Sequence, residues 1–380
     1  MNIALLIASA VLAMIATIGA SLFYGPLPRV AGSRLRWLGG TAAVVVVLWA
    51  IYGYGMAFGP ALVPGFVGNP VSAYPSLFAH GAAARLGGNL AFALFQATVA
   101  LLTVTLLAGG ISGRLRFRPW LVFAAIWCTV VYLPLAYTVF NVQDGWLFTA
   151  LEVNDQAGGT VIQISVGASV LAFLIVFRGR TLRAQPPIRT SIVAAMLLWV
   201  GWFGVTVGSE GMIDSLFGTL WLNTLIAPPA AALAWALVET LRSGRPSARG
   251  AACGAVSGLV AITPACNILT PDWTIVLGVL AGALCALAVS LKRRFHFDDG
   301  FDLVGIQLVG GVLGMLYIGL FGTGIGWRDN GQPDRLIAQA EAALAVAGYA
   351  FVVTVVMAWI LRAVLRRRGS RSEADETTVA

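Results

Sequence analysis

Charged residues are scarce in this sequence: Asp, Glu, Lys and Arg together make up 11% of its 380 residues. A soluble globular protein carries roughly 25% charged residues, whereas hydrophobic residues reach 59% here. The chain therefore lacks the polar surface needed to face water on all sides. Apolar runs of about 20 residues recur, each long enough to cross ~30 Å of hydrocarbon as a helix, typically at 2–24, 38–58, 119–140 and 338–361. The composition predicts an all-α polytopic membrane protein.

Residues that commonly carry chemistry are also few. There are two histidines, His80 and His296, and four cysteines that lack the paired spacing of a metal site. We interpret the cysteines as small packing residues within helices; they are Cys128, Cys253, Cys266 and Cys285. No catalytic constellation occurs in the apolar runs or in their connections. We therefore expect no enzymatic activity, no cofactor and no metal.

Basic residues fall mainly in alternate connections between the apolar runs, which hold 21 of the 24 Lys and Arg residues. The basic connections contain Arg29, Arg34 and Arg36; Arg114, Arg116 and Arg118; Arg178, Arg180, Arg183 and Arg189; Arg242, Arg245 and Arg249; Lys292, Arg293 and Arg294; and Arg362, Arg366, Arg367, Arg368 and Arg371. Only Arg85, Arg328 and Arg335 lie in the other set. Because basic loops stay cytoplasmic, this pattern predicts eleven crossings, with the N-terminus outside and the C-terminus inside. The net charge of +8 thus reflects orientation, and we expect no nucleic-acid partner.

The two ends of the chain need separate interpretation. The first apolar run resembles a signal peptide, but no basic segment precedes it and its apolar stretch is too long, which favours a retained first helix. The last residues are polar and show no apolar periodicity. We therefore predict a membrane domain over 1–365 and a short disordered cytoplasmic tail over 366–380.

Two apolar stretches each contain a single glutamine in matching surroundings. "VIQISVG" at 161–167 and "GIQLVGG" at 305–311 share the pattern Ile-Gln-(Ile/Leu)-x-x-Gly. Gln163 lies eight residues after Asp155, about 12 Å into its helix at 1.5 Å per residue. Gln307 enters to a comparable depth from the opposite face. Such opposed half-motifs are typical of inverted repeats around a transport pathway, which predicts two inverted five-helix repeats plus a last helix.

An amide without a partner in hydrocarbon costs roughly 4–8 kcal/mol on the cyclohexane scale, so each glutamine must find a partner or water. One interpretation is that each glutamine hydrogen-bonds a neighbouring helix and serves only packing. The other is that both line a pore. The matched pair in opposed repeats favours the pore, and both interpretations stay open at this point.

The sequence also contains a series of distinctive segments in a fixed order. They are "LWAIYGYGMAFG" (48–59), "LFQATVA" (94–100), "NDQAGGTVIQIS" (154–165), "VGWFGVTVGSEG" (200–211), "WLNTLIAPPAAALAW" (221–235), "GAVSGLVAITPAC" (254–266) and "DDGFDLVGIQLVGGVLG" (298–314). Over nearly the whole chain this series resembles the Amt/Rh ammonium transporters, and the Amt branch in particular. The resemblance implies a homotrimer in the cell membrane, the plasma membrane of a bacterium, in which each protomer has its own narrow pore.

The resemblance implies an outer recruitment site for the ammonium ion. Phe140 stands where the family usually has a tryptophan, and Ser209 matches the family's serine. A cation is attracted to an aromatic face, and phenylalanine is the weaker ring, so we expect a weaker site. Asp155 matches the family's acidic residue, which supports cation entry or caps its helix.

Below that site the resemblance implies a gate of two stacked phenylalanines, and here both are replaced. The matching positions are Val99 and Val205, so we expect a wider constriction. Phe95 precedes the first position by one turn. We interpret Trp202 and Phe203 as packing residues.

Two facing histidines help to remove a proton from ammonium in the family, and Gln163 and Gln307 occupy their positions. A glutamine amide offers donors and an acceptor but does not titrate near neutral pH. The pore should therefore keep a polar pair and lose the proton relay. Three hypotheses remain: transport of ammonium or a small amine by an altered mechanism, a non-conducting ligand sensor, or a channel for another small amine or amide. The family's tail that couples to PII-type regulators is not recognisable, so we expect no tight PII regulation.

Overall fold

The computed structural model describes residues 1–25, 33–71, 83–111, 113–178, 186–295 and 299–378. Within these residues, ten helices are long and apolar enough to cross a membrane, and one further apolar helix is shorter. In chain order the helices are α1 (Ile3–Tyr24), α2 (Arg34–Phe58), α3 (Ala83–Ile111), α4 (Phe117–Phe140), α5 (Gly159–Val176), α6 (Ile188–Glu210), α7 (Phe217–Ser243), the shorter α8 (Ala248–Ile262), α9 (Pro271–Phe295), α10 (Val304–Phe321) and α11 (Asp334–Thr378). The helical membrane protein predicted from composition is confirmed.

The connections add little regular structure to these helices. A two-stranded antiparallel hairpin, β1 (Ala61–Val63) with β2 (Val67–Gly68), follows α2. Short helical turns occur at Trp146–Thr149 and Trp327–Asn330. The hairpin contacts the loop after α4, where the Asp144 carboxylate accepts a hydrogen bond from the Gly65 backbone N–H at 2.8 Å.

Small residues bring the helix backbones of α1 and α6 into contact. A Cβ added at Gly201 would lie 2.2 Å from the backbone N of Ala16, and one at Gly19 would lie 2.7 Å from the backbone N of Leu198. Only glycine permits such an approach, as in other membrane helix pairs. The contact fixes α6, which carries two of the predicted site residues.

Arginines bond to the C-terminal end of α5. Arg114 donates from Nε to the Phe177 carbonyl at 3.2 Å, and Arg362 donates from Nη1 to the Val176 carbonyl at 2.7 Å. These bonds satisfy carbonyl groups that have no partner within the helix and place positive charge at the negative end of its dipole. We call this end of the bundle the basic face.

Arg328 and Arg335, which lie in the connections with few basic residues, each form an ion pair with a carboxylate. The Nη2 atom of Arg335 lies 3.1 Å from the Glu152 carboxylate. Arg328 lies 3.3 Å from the Asp329 carboxylate and 4.7 Å above the ring of Trp273. Pairing of this kind lets a basic residue occupy the other face without leaving an unbalanced charge there. Of the remaining residues singled out from sequence, His80 and His296 lie outside the described residues.

The four cysteines all lie within the described residues, form no disulfide there and are buried among the helices, which agrees with their interpretation as packing residues. At the C-terminus, α11 continues to Thr378, through the segment where the sequence predicts disorder. No proline interrupts the segment; Gly369 weakens a helix that has already begun but does not stop it. The division at residue 365 stays a prediction.

Candidate functional site: a vestibule and two buried glutamines

A cavity of about 470 Å³ opens at the end of the bundle opposite the basic face. Three predicted site residues, Phe140, Ser209 and Asp155, lie in its wall. Its further lining includes Tyr54, Phe58, Phe92, Gln96, Asn154 and Gln156. We call this cavity the vestibule. Sequence reasoning missed Gln96, although a lone amide in the apolar run "LFQATVA" was the available signal.

Two oxygen atoms near the vestibule, on Ser209 and Gln96, are placed to accept hydrogen bonds. Ser209 donates its hydroxyl proton to the Val205 carbonyl at 2.8 Å, so its oxygen can only accept from a ligand. Gln96 is 4% exposed, and its Oε1 atom has no hydrogen-bond partner among the described residues. A ligand that donates N–H groups, beside the ring of Phe140, fits this chemistry.

Asp155 caps the start of α5. Its Oδ1 atom accepts the backbone N–H groups of Gly158 and Gly159 at 2.9 and 2.5 Å. Its Oδ2 atom accepts the backbone N–H and the hydroxyl of Thr160 at 2.8 and 2.5 Å. Burial raises the pKa of Asp155, and these donors act against that shift. The capping interpretation thus has direct geometric support, and the carboxylate still contributes to the vestibule wall.

A second aspartate caps α10 in the same way. Asp299 accepts the backbone N–H groups of Leu303 and Val304 at 3.1 and 2.7 Å. It stands eight residues before Gln307, as Asp155 stands eight residues before Gln163. Sequence reasoning missed Asp299, and this equal spacing was the signal that would have found it.

Both glutamines lie in short π-helical segments, at Gly159–Ile164 and Val304–Leu308. Such segments are rare and occur frequently at functional sites. Gly158, with φ of +98°, begins the first segment in a left-handed conformation that glycine adopts without strain. Each π-helical segment passes directly into the α-helical part of α5 or α10.

The two helices cross where the matched glycines lie. A Cβ at Gly167 would lie 2.5 Å from the backbone N of Leu308, and one at Gly311 would lie 2.9 Å from the Cβ of Gln163. As the residue number rises in one helix, the contacting number falls in the other. The helices are therefore antiparallel at the crossing, as opposed half-motifs require.

Each glutamine is bound through its amide nitrogen. Gln163 donates from Nε2 to the Thr263 hydroxyl at 3.4 Å, and Gln307 donates from Nε2 to the Tyr24 hydroxyl at 3.2 Å. Both glutamines are fully buried, and neither Oε1 atom has a partner among the described residues. A buried acceptor without a donor costs about 1–3 kcal/mol. The pair therefore presents two acceptors that a donor ligand can satisfy.

The positions implied as a gate lie below the vestibule. Val99 and Val205 are buried and do not line it. Val99 lies about one helical turn deeper in the bundle than Gln96, and Val205 lies about one turn deeper than Ser209. Phe95 packs against α6, since a Cβ at Gly208 would meet its ring at 2.3 Å.

The other aromatic residues of this region serve packing. Phe203 stacks on Trp221 with ring centroids 4.3 Å apart. Trp202 donates from Nε1 to the Thr263 hydroxyl at 3.0 Å. Their interpretation as packing residues agrees with this geometry.

A multi-pass helical membrane protein with a lined vestibule and buried polar pairs belongs to the class of membrane transporters. The sequence matches the family described as Ammonium Transporter Family over residues 4–378. The chain belongs to this family of membrane transporters, and the protein is not an enzyme.

Individual relatives agree with this assignment. An ammonium transporter of Mycobacterium bovis is 35% identical over 412 residues, covering 98% of this chain and 86% of the relative. The crystal structure of Candida albicans Mep2 is similar with a TM-score of 0.81 and 28% identity, covering 93% of this chain and 82% of that chain. A structure described as a Sensor Amt Protein has a TM-score of 0.86 at 23% identity, covering 96% of this chain and 93% of that chain. This last likeness concerns the fold alone.

Proposed function

We propose that the protein transports ammonium, ammonia or a small amine across the membrane along a path from the vestibule to the glutamine pair. The observation that carries this proposal is the pair of buried, partnerless Oε1 atoms on Gln163 and Gln307 at the crossing of α5 and α10. A buried acceptor without a donor is costly inside a membrane. A polar path that brings donors to both Oε1 atoms would remove this cost and explains why two glutamines stand at these positions. The relative from M. bovis carries the name ammonium transporter.

The mechanism differs from one that uses paired histidines. A glutamine amide does not gain or lose a proton near neutral pH, so Gln163 and Gln307 do not relay a proton. The permeating molecule instead passes by exchanging hydrogen bonds with the two amides. At the vestibule, Phe140, Ser209 and Asp155 recruit it, and Val99 and Val205 form a constriction wider than two phenylalanine rings would leave.

Electrical recording from purified protein in liposomes tests this proposal. Pulses of ammonium, methylammonium and potassium, combined with radiolabelled methylammonium uptake, report both charge movement and flux. We expect methylammonium uptake above that of protein-free liposomes. Absence of both uptake and current, with retained ligand binding, would instead support the non-conducting sensor. Flux of larger amines or amides without ammonium flux would support the third hypothesis.

We further propose eleven crossings, with α8 as the eighth, an N-terminus outside and a C-terminus inside. The basic face at the end of α5 supports this orientation. A homotrimer in a bacterial plasma membrane follows from the family. Chemical cross-linking should yield trimers, and monomers alone at all concentrations would contradict this.

Tight PII regulation is not expected, because the polar segment 366–380 lacks the family's recognisable coupling tail. A pull-down with a PII-type protein should recover no stable complex. A stable complex would overturn this proposal.

A further inference from the structure

The segment that lines the vestibule just before α5 is bonded to a side chain of the last helix. Gln339 of α11 is fully buried. Its Oε1 atom accepts the backbone N–H of Asn154 at 3.2 Å, and its Nε2 atom donates to the Asn154 carbonyl at 2.8 Å. A backbone N–H can only donate and a carbonyl can only accept, so the two bonds fix the orientation of the amide. Gln339 thus binds both backbone groups of Asn154, as a neighbouring strand would.

The side chain of Asn154 is bonded elsewhere, to the turn after α8. It donates from Nδ2 to the Pro264 carbonyl at 3.2 Å. It also pairs with the side-chain amide of Asn267 through two bonds of 3.3 and 3.2 Å. The backbone N–H of Gln156 donates to the same Pro264 carbonyl at 3.1 Å. Asn154 is therefore held by two side-chain amides, Gln339 and Asn267, from different parts of the chain.

The segment held in this way forms part of the vestibule wall. Three consecutive residues, Asn154, Asp155 and Gln156, line the cavity, and Asp155 also caps α5. Gln156 donates from Nε2 to the Glu210 carboxylate at 2.8 Å, and Glu210 directly follows Ser209 in the chain. A displacement of Asn154 would therefore move the wall at Asp155 and Gln156 and disturb the residue next to Ser209.

We propose that Gln339 and Asn267 are positioning residues that hold Asn154 and thereby set the affinity of the vestibule for the recruited cation. This inference rests on the proposed function, since it assumes that the permeant is recruited in the vestibule. Neither amide lines the cavity, so each acts through the placement of Asp155 and Gln156. Loss of either amide should weaken recruitment, which determines the apparent KM, and spare the steps at the glutamine pair, which determine the maximal rate.

Uptake of radiolabelled methylammonium into liposomes, measured over a range of concentrations, separates the apparent KM from the maximal rate per protomer. Gln339→Met keeps the length of the side chain and removes both bonds to Asn154. We expect its apparent KM to rise about three- to tenfold, the effect of roughly one lost hydrogen bond, with a maximal rate close to that of the wild type. An unchanged KM, or a lower maximal rate at an unchanged KM, would overturn the proposal. Absence of uptake by the wild type would contradict the proposed function itself, so the two failures are distinguishable.

Thr354 provides a matched control on the same helix. It is equally buried, donates its hydroxyl proton to the Ser169 hydroxyl of α5 at 2.9 Å and accepts the Nε1–H of Trp127 at 3.2 Å. It follows Gln339 by 15 residues, about 22 Å along α11. Thr354→Val should therefore leave the apparent KM unchanged, even where it lowers the unfolding midpoint. A rise in KM equal to that of Gln339→Met would assign the effect to the loss of any buried hydrogen bond of α11 and overturn the proposal.

If Gln339→Met does not assemble, Asn267→Leu makes the same test at the other amide. Leucine resembles asparagine in shape and forms no side-chain hydrogen bond, so the variant removes the pair with Asn154 and leaves Gln339 in place. A raised apparent KM with a maximal rate close to that of the wild type supports the proposal, and an unchanged KM overturns it.

Discussion

Replacing both buried glutamines by leucine should separate transport from assembly. Leucine is similar in size to glutamine and offers no hydrogen bond, so the double variant Gln163→Leu with Gln307→Leu removes both free acceptors while keeping the packing volume. Each acceptor is worth about 1–3 kcal/mol to a donor that must leave water. Together they account for about 2–6 kcal/mol of the barrier to transport, a fall in rate of roughly 30-fold to 25,000-fold.

The same substitution should change stability little. The variant loses the two hydrogen bonds that the glutamine Nε2 atoms donate, and the weaker of these spans 3.4 Å between Gln163 and Thr263. It also leaves the Tyr24 hydroxyl without the hydrogen bond from Gln307. It also removes two buried acceptors without partners, each of which costs about 1–3 kcal/mol. These effects are similar in size and opposite in sign.

The assay measures radiolabelled methylammonium uptake and the thermal unfolding midpoint on the same preparations. We expect uptake near the level of protein-free liposomes with a midpoint close to that of the wild type. Normal uptake by the double leucine variant would show that the glutamines serve packing only and do not face the permeant. Loss of uptake together with loss of assembly would also contradict it, since the substitutions are predicted to spare the fold.

Three further predictions concern the site and the orientation. The double variant Gln163→His with Gln307→His should make methylammonium uptake depend on pH around roughly 6–7, whereas wild-type uptake should not change with pH in that range. A pH-independent uptake in the histidine variant would argue against both positions facing the permeant. Asp155→Ala removes all four hydrogen bonds that cap α5 and should lower the free energy of unfolding by at least the ~1–2 kcal/mol of a lost N-cap. Asp155→Asn keeps an oxygen for Gly158 and Gly159 and should lower it less. Equal unfolding midpoints for the two variants would contradict the capping role. The four native cysteines are buried, whereas Gln143 and Ser247 are exposed. An impermeant maleimide should therefore react with Gln143→Cys from outside and with Ser247→Cys only from inside. The reverse pattern would contradict the proposed orientation.

The helical membrane architecture could be predicted because it depends on composition and on the length of apolar runs, which are local properties of the sequence. The opposed arrangement of Gln163 and Gln307 was also accessible, since a repeated pattern needs no knowledge of contacts. Phe140, Ser209 and Asp155 were accessible through the family resemblance, and the structure brings all three to one cavity.

The partners of the glutamines could not be predicted, because they come from distant parts of the chain. Tyr24 and Gln307 are separated by 283 positions, and Gln163 and Thr263 by 100. Threonine and tyrosine are common in apolar helices, so neither position stood out. The π-helical segments that carry the glutamines were also inaccessible, since apolar periodicity indicates a helix without distinguishing its hydrogen-bond register.

Passage of the permeant along the glutamine pair can be seen in a high-resolution structure of the protein in lipid with saturating methylammonium. We expect density for a permeant or an ordered water within about 2.7–3.2 Å of the Oε1 atoms of Gln163 and Gln307, with both amide nitrogens still directed toward Thr263 and Tyr24. A dry contact in which the two amides bond only to each other or to neighbouring helices would contradict it.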